Sequence, residues 1–275
     1  MSLTVGSPAY GRWNVRAQVA PAATNTRPAM SGDTLALANV SDLSKFEPYL
    51  EDQYTDGKSN GCGTTTLGMV LSYLKGKPGA YNRAKIDGDI RRQDMPSSPY
   101  NLADYARAQG MRTATRNNAN LDDLTKLVDQ GAPVLTMIDP SDPGDLVLHY
   151  VAVTGYTRDA DGKVKDVTIA NPAGGEMQTI SAEEWTRKWA NLKLEGKSTG
   201  INNFMVAIAP KDNTPIRGKD GQVRKGSDIV LPAEKDIGLA LKGMDLLADA
   251  ANKGTEIAST ARGVWDKVYG ALPWA

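Results

Sequence analysis

Residues 59–74 read SNGCGTTTLGMVLSYL and hold Cys62, the single cysteine of a 275-residue chain. Leu67, Val70, Leu71 and Leu74 recur at i, i+3, i+4 and i+7, which predicts a helix laying one face on a core, with Cys62 at its N-terminal end. A cysteine alone is ordinarily a small buried hydrophobe. At a helix start, however, unpaired N–H groups and the positive end of the dipole favour an anion, so the thiol's pKa falls and its thiolate fraction rises.

The chain around this stretch is 40% hydrophobic and carries 32 basic against 32 acidic residues. That is enough apolar material for one full core with appendages, while the balanced charge argues against a nucleic-acid surface or a polybasic membrane surface. One cysteine forms no internal disulfide, and no apolar run is long enough to span a bilayer. Residues 1–39, rich in Ala, Pro, Thr, Asn and Ser, read as a flexible leader without the apolar stretch of a secretory signal. The expected location is cytoplasmic, or outside the cell by a route that leaves no cleaved signal, as for a secreted effector. Residues 40–210 carry the patterned segments, 211–232 read as a polar Gly/Pro linker, and 233–275 as a helical extension. In that extension Ile237, Leu241, Met244, Ala248 and Ala251 are spaced by three or four, as are Ile257, Ala261, Val264, Val268 and Leu272. Such helices either pack on their own domain or offer a face for docking a partner.

Within 40–210 the order reads helices first and strands second. A second helix is expected from an Asn101 cap through Leu102, Tyr105 and Ala106, and a third from an Asn120 cap through Leu121, Leu124, Leu127 and Val128, closed by Gly131. PVLTMI, LVLHYVAVTGY, KDVTIA and NFMVAIA then concentrate β-branched and aliphatic residues between turn signals. Strands joined by short turns give an antiparallel sheet, so the class is α+β. Ser181 with Glu184 three residues on reads as a helix cap, which makes Trp185 and Trp189 core residues.

The only histidine, His149, lies in the strongest of these strands and shares its period-two face with Val147, Val151 and Val153. Read alone it is a strand residue with its nitrogens bonded locally. Asn171 ends the next strand just before Pro172, where asparagine usually serves a turn, yet from there a carboxamide can also orient an imidazole. No cysteine or histidine cluster suits zinc, and Asp139, Asp142 and Asp145 lack the spacing of a calcium loop, so neither metal nor other cofactor is expected. No Gly-rich phosphate motif appears.

Cysteine at a helix start, then histidine in a strand, then asparagine at the end of the following strand is the layout of a papain-like fold. The segments NGCGTTTLGMVLSYL, NLDDLTKLVDQGAPVLTMI, LHYVAVTGY, IANPAGG and NNFMVAIAP, in this order between Gln53 and Pro210, resemble the bacteriocin-processing, double-glycine leader cysteine peptidases and their soluble relatives. The resemblance implies a papain-like fold with N-terminal helices on a C-terminal sheet and a polypeptide substrate. It further implies Cys62 as nucleophile, His149 as base and Asn171 as orienting residue. The family usually has Asp where this chain has Asn171, and an oxyanion-hole Gln six residues before the cysteine, where this chain has Asp56. Gln53, nine before, is the expected replacement, with Asn60 the other carboxamide within reach. The activity implied is peptide-bond hydrolysis through a thioester acyl-enzyme. Peptidoglycan amidases or endopeptidases, deamidases and transglutaminases share the order of residues, and a peptide-binding module that kept the fold without the chemistry would also carry it.

Overall fold

The chain enters its described part through a two-residue strand, β1 (Ser41–Asp42), followed by two short 3-10 turns. The computed structural model describes residues 40–55, 60–90, 97–140, 148–190, 192–194, 197–198 and 200–234, all within the compact unit Ala36–Ala275. Three helices follow: α1 (Cys62–Leu74), α2 (Arg83–Ile90) and α3 (Pro99–Ala108). Next come β2 (Met111–Arg116), α4 (Leu121–Asp129), β3 (Val134–Ile138), β4 (His149–Arg158), β5 (Val164–Asn171) and β6 (Glu176–Ser181). Then come α5 (Ala182–Trp189), the short pair β7 (Lys193–Leu194) and β8 (Lys197–Ser198), β9 (Met205–Pro210), β10 (Pro215–Arg217) and β11 (Val223–Lys225). No described helix is long and apolar enough to cross a membrane.

Six strands form one antiparallel sheet in the order β2-β9-β3-β4-β5-β6. The class is α+β and the sheet antiparallel, as expected. Helix α1 differs from the expected one-faced helix: every residue from Gly63 to Leu74 is buried. It lies against β4, α2 and α3. Leu67, Val70, Leu71 and Leu74 are all fully buried, each stabilising the fold by about 1.5–3 kcal/mol. The helix is also tied sideways, since Tyr73 donates to the Gly131 carbonyl at 3.0 Å and Thr66 to the Tyr150 carbonyl at 3.1 Å.

Three local expectations need correction. The second of the expected helices starts at Pro99, not after Asn101, because Ser98 accepts from the N–H groups of Tyr100 and Asn101 and proline suits the first helical position. Helices do not all precede strands: β2 lies between α3 and α4, and its MRTATR sequence has no apolar run because pairing with β9 supplies its strand character. The 211–232 stretch, read as a linker, carries β10 and β11, which join β1 in a three-stranded sheet. Two buried isoleucines, Ile216 and Ile229, pin it down, and Arg112 donates to the carbonyls of Gly226 at 2.9 Å and Ile229 at 2.8 Å. The expected leader lies outside the described residues, as does the extension beyond Glu234.

The third helix matches its reading. Asn120 and Asp123 form a reciprocal capping box on α4, and Gly131 follows its end at φ 85°. Ser181 caps α5, and Trp185 and Trp189 are fully buried with ring centroids 5.4 Å apart.

Candidate active site

Helix α1 is preceded by Gly61 as its N-cap, which carries no capping side chain, so the first N–H groups of the helix remain available beside Cys62. Asn60 precedes it at φ 60°, a left-handed conformation that asparagine tolerates. Cys62 itself is half-buried. The strand that faces it, β4, starts at His149, and the Thr66 hydroxyl fixes the distance between helix and strand next to that residue. Gly63 makes the approach possible: a Cβ there would lie 2.9 Å from the Cβ of Ser97 and 3.1 Å from the ring of Tyr150. The Tyr150 hydroxyl in turn donates to the Ser97 carbonyl at 3.3 Å.

His149 Nε2 is 2.8 Å from Asn171 Oδ1, and both side chains are buried. Asn171 is the last residue of β5. Its Oδ1 also accepts from the backbone N–H of Ala173 at 3.0 Å. Because that N–H can only donate, the atom turned towards the imidazole is the oxygen, so Nε2 carries a proton and Nδ1 is left for the thiol. Cys62 and His149 lie close enough for each to shift the titration of the other.

Burial pushes the Cys62 thiol up, but the hydrogen bond and positive charge of His149, with the N–H groups of Tyr150 and Gly63, outweigh it and hold the pKa below the ordinary thiol value. Burial likewise pushes His149 down, while the bond and charge of Cys62 and the oxygen of Asn171 raise it above the ordinary imidazole value. The two shifts have opposite senses and one origin, a thiolate beside an imidazolium.

Gln53 is brought to the same place from the other side. Its backbone N–H donates to the Pro172 carbonyl at 2.8 Å, directly after Asn171, and its own carbonyl accepts from Arg83. The Gln53 side chain is buried, with Oε1 lacking a partner. Arg83 lies over Gly61, where any Cβ would collide with its guanidinium, and it pairs with Asp87 at 3.1 Å. Of the four expected site residues, His149 and Asn171 are thus bonded to one another with Cys62 close by, and Gln53 borders them through backbone bonds. Asp56 lies outside the described residues.

Four contributors escaped the sequence reading: Arg83, the N–H of Tyr150, and Gln178 and Glu176 on β6. The last two follow the NPAGG turn in alternating register, so recognising EMQTIS as the return strand of a hairpin would have placed both on the face of Asn171.

Residues 45–196, more than half of the chain, match the Peptidase_C39 like family, and the chain belongs to that family. By family it is of the papain-like cysteine peptidase type. Among solved structures it is similar to the peptidase domain of Streptococcus ComA, a bi-functional ABC transporter involved in a quorum-sensing pathway. That match has 15% identity and a TM-score of 0.43, covering 59% of this chain and 98% of that one. It is also similar to a double-glycine-motif protease from an AMS/PCAT transporter in complex with the leader peptide. There the identity is 20% and the TM-score 0.39, covering 56% of this chain and 87% of that one. No curated protein matches the sequence.

Proposed function

We propose that the chain is a cysteine peptidase that hydrolyses peptide bonds with Cys62 as nucleophile, His149 as acid and base, and Asn171 as the orienting residue. The observation that carries the reading is the 2.8 Å bond between His149 Nε2 and Asn171 Oδ1, with the imidazole near enough to Cys62 to lower its thiol pKa. The Cys62 thiolate attacks the carbonyl carbon of a polypeptide substrate, and the oxyanion takes up the charge. The carbon–nitrogen bond breaks as the leaving amine receives the proton held at His149 Nδ1, leaving a thioester on Cys62. Water then attacks the thioester and gives its proton to His149, which restores the ion pair and releases the acid. The oxyanion donors in this reading are the backbone N–H at the start of α1 and the carboxamide of Gln53.

The test is casein hydrolysis by the purified full-length chain against Cys62→Ala, with a peptidoglycan zymogram run in parallel. Loss of casein cleavage in the variant supports the reading. Cleavage that survives Cys62→Ala refutes it, and activity on peptidoglycan alone would move the chain to the amidase class.

A further inference from the structure

The hydrogen bonds of Asn171 do not stop at His149. Its Nδ2 donates to Gln178 Oε1 at 3.2 Å, and Gln178 Nε2 donates to Glu176 Oε1 at 2.6 Å. The two ends dictate the direction of everything between them. The Ala173 N–H can only donate, so it faces Asn171 Oδ1, and a Glu176 carboxylate only accepts, so it faces Gln178 Nε2. Both carboxamides are therefore aligned head to tail, in the order His149, Asn171, Gln178, Glu176. Gln178 is buried, so little water competes for its amide, whereas Glu176 is exposed.

Resting on the peptidase reading above, we propose that Gln178 and Glu176 are positioning residues that keep the oxygen of Asn171 on His149, a carboxylate at the end of a two-carboxamide relay. The alternative orientation shows why the relay matters. If Asn171 turned over, its NH2 would face the Nε2 proton of His149 and the N–H of Ala173, three donors with no acceptor among them. Gln178 prevents this by offering Asn171 an oxygen, and Glu176 holds Gln178 in that sense by accepting from its nitrogen. Aligned amides polarise one another, so the oxygen presented to the imidazolium is a better acceptor than an isolated carboxamide.

Ionisable groups close to His149 include Cys62, Tyr150 beside it on β4, Asp139 directly after its register partner Ile138, and Lys188, whose carbonyl accepts from the Asp139 N–H. Asp52 meets the β5–β6 turn, accepting from the Gly174 N–H at 3.2 Å. None of these bonds to either carboxamide of the relay among the described contacts.

The test uses the full-length chain and two reactions at Cys62 followed against pH: alkylation by iodoacetamide and acylation by p-nitrophenyl acetate. Glu176→Ala should slow acylation by about three- to tenfold, the equivalent of one modest hydrogen bond. It should also draw in the alkaline limb of the acylation profile and raise the midpoint of the alkylation profile, because the imidazolium loses support. The exchange Glu176→Gln with Gln178→Glu should restore the rate, since the carboxylate it introduces accepts from Asn171 directly. In an Asn171→Asp background Glu176→Ala should cause no loss of rate, because the side chain bonded to the imidazole is then itself a carboxylate, which only accepts and needs no acceptor behind Gln178. A purely structural role for Glu176 predicts the same loss in both backgrounds and no rescue by exchange, and either result overturns the relay. So does a reactive Cys62 indifferent to Glu176→Ala. An unreactive Cys62 in the wild type would overturn the peptidase reading and the relay with it.

Discussion

Replacing His149 with alanine should move the thiol pKa of Cys62 from below the ordinary cysteine value to above it. Burial, the largest influence on that thiol, raises its pKa, and the hydrogen bond of His149, the charge of His149 and two backbone N–H groups lower it. The substitution deletes the second- and third-ranked influences together and leaves burial opposed only by the N–H groups of Tyr150 and Gly63. If burial then dominates, the pKa exceeds about 8.5 and the thiolate fraction at pH 7 falls to about 3% or less. The rate of alkylation at one pH understates this change, because a thiolate of higher pKa is the better nucleophile. The proper readout is the midpoint of iodoacetamide alkylation against pH. It should lie below about 8.5 in the wild type and at or above that value in His149→Ala. Identical midpoints would refute the ion pair, and with it the assignment of Nδ1 as the partner of the thiol.

Asn171→Ala removes bonds to His149, Ala173 and Gln178, a loss of about 2–3 kcal/mol that should lower the melting temperature by roughly 4–12 °C by calorimetry and turnover by more than tenfold. Gly63→Ala must push α1 from Ser97 and Tyr150, so Cys62 alkylation at pH 7 should fall sharply while far-UV circular dichroism holds. Arg83→Met breaks a buried ion pair and frees the Gln53 carbonyl; a loss of about 3–5 kcal/mol should appear as an earlier urea midpoint, and an unchanged midpoint would show that the pair contributes nothing.

The residues proposed to do the chemistry were legible because each sits at a boundary that sequence marks well. Cys62 opens an apolar stripe, Asn171 precedes a proline at the end of a β-branched run, and His149 is the only imidazole available. Their supports were not, because β6 and β2 owe their strand character to the strands they pair with, β5 and β9, rather than to their own composition. EMQTIS alternates between faces, but with only Met177 and Ile180 apolar it gives no clear half-buried pattern. Burial all around α1 was hidden for a related reason. Thr64, Thr65 and Thr66 look like a solvent face in the sequence, yet Thr64 and Thr66 spend their hydroxyls on the carbonyls of Gly61 and Tyr150. The 211–232 stretch misled through its Gly and Pro content, since two isoleucines and an arginine clasp suffice to hold it.

Strands β1 and β10 run parallel, with Ser41 opposite Ile216 and Asp42 opposite Arg217. The Ser41 hydroxyl donates to the Tyr73 carbonyl at 2.6 Å, and Asp42 lies 3.7 Å from the Arg217 guanidinium. Force applied to the chain ahead of Ser41 and beyond Arg217 would drag these neighbours past one another in opposite directions, loading their bonds together in shear rather than peeling them apart one at a time. A machine that threads this chain from its N-terminal side therefore meets a mechanical clamp at the first of the described strands, before any of the six-stranded sheet has come under tension.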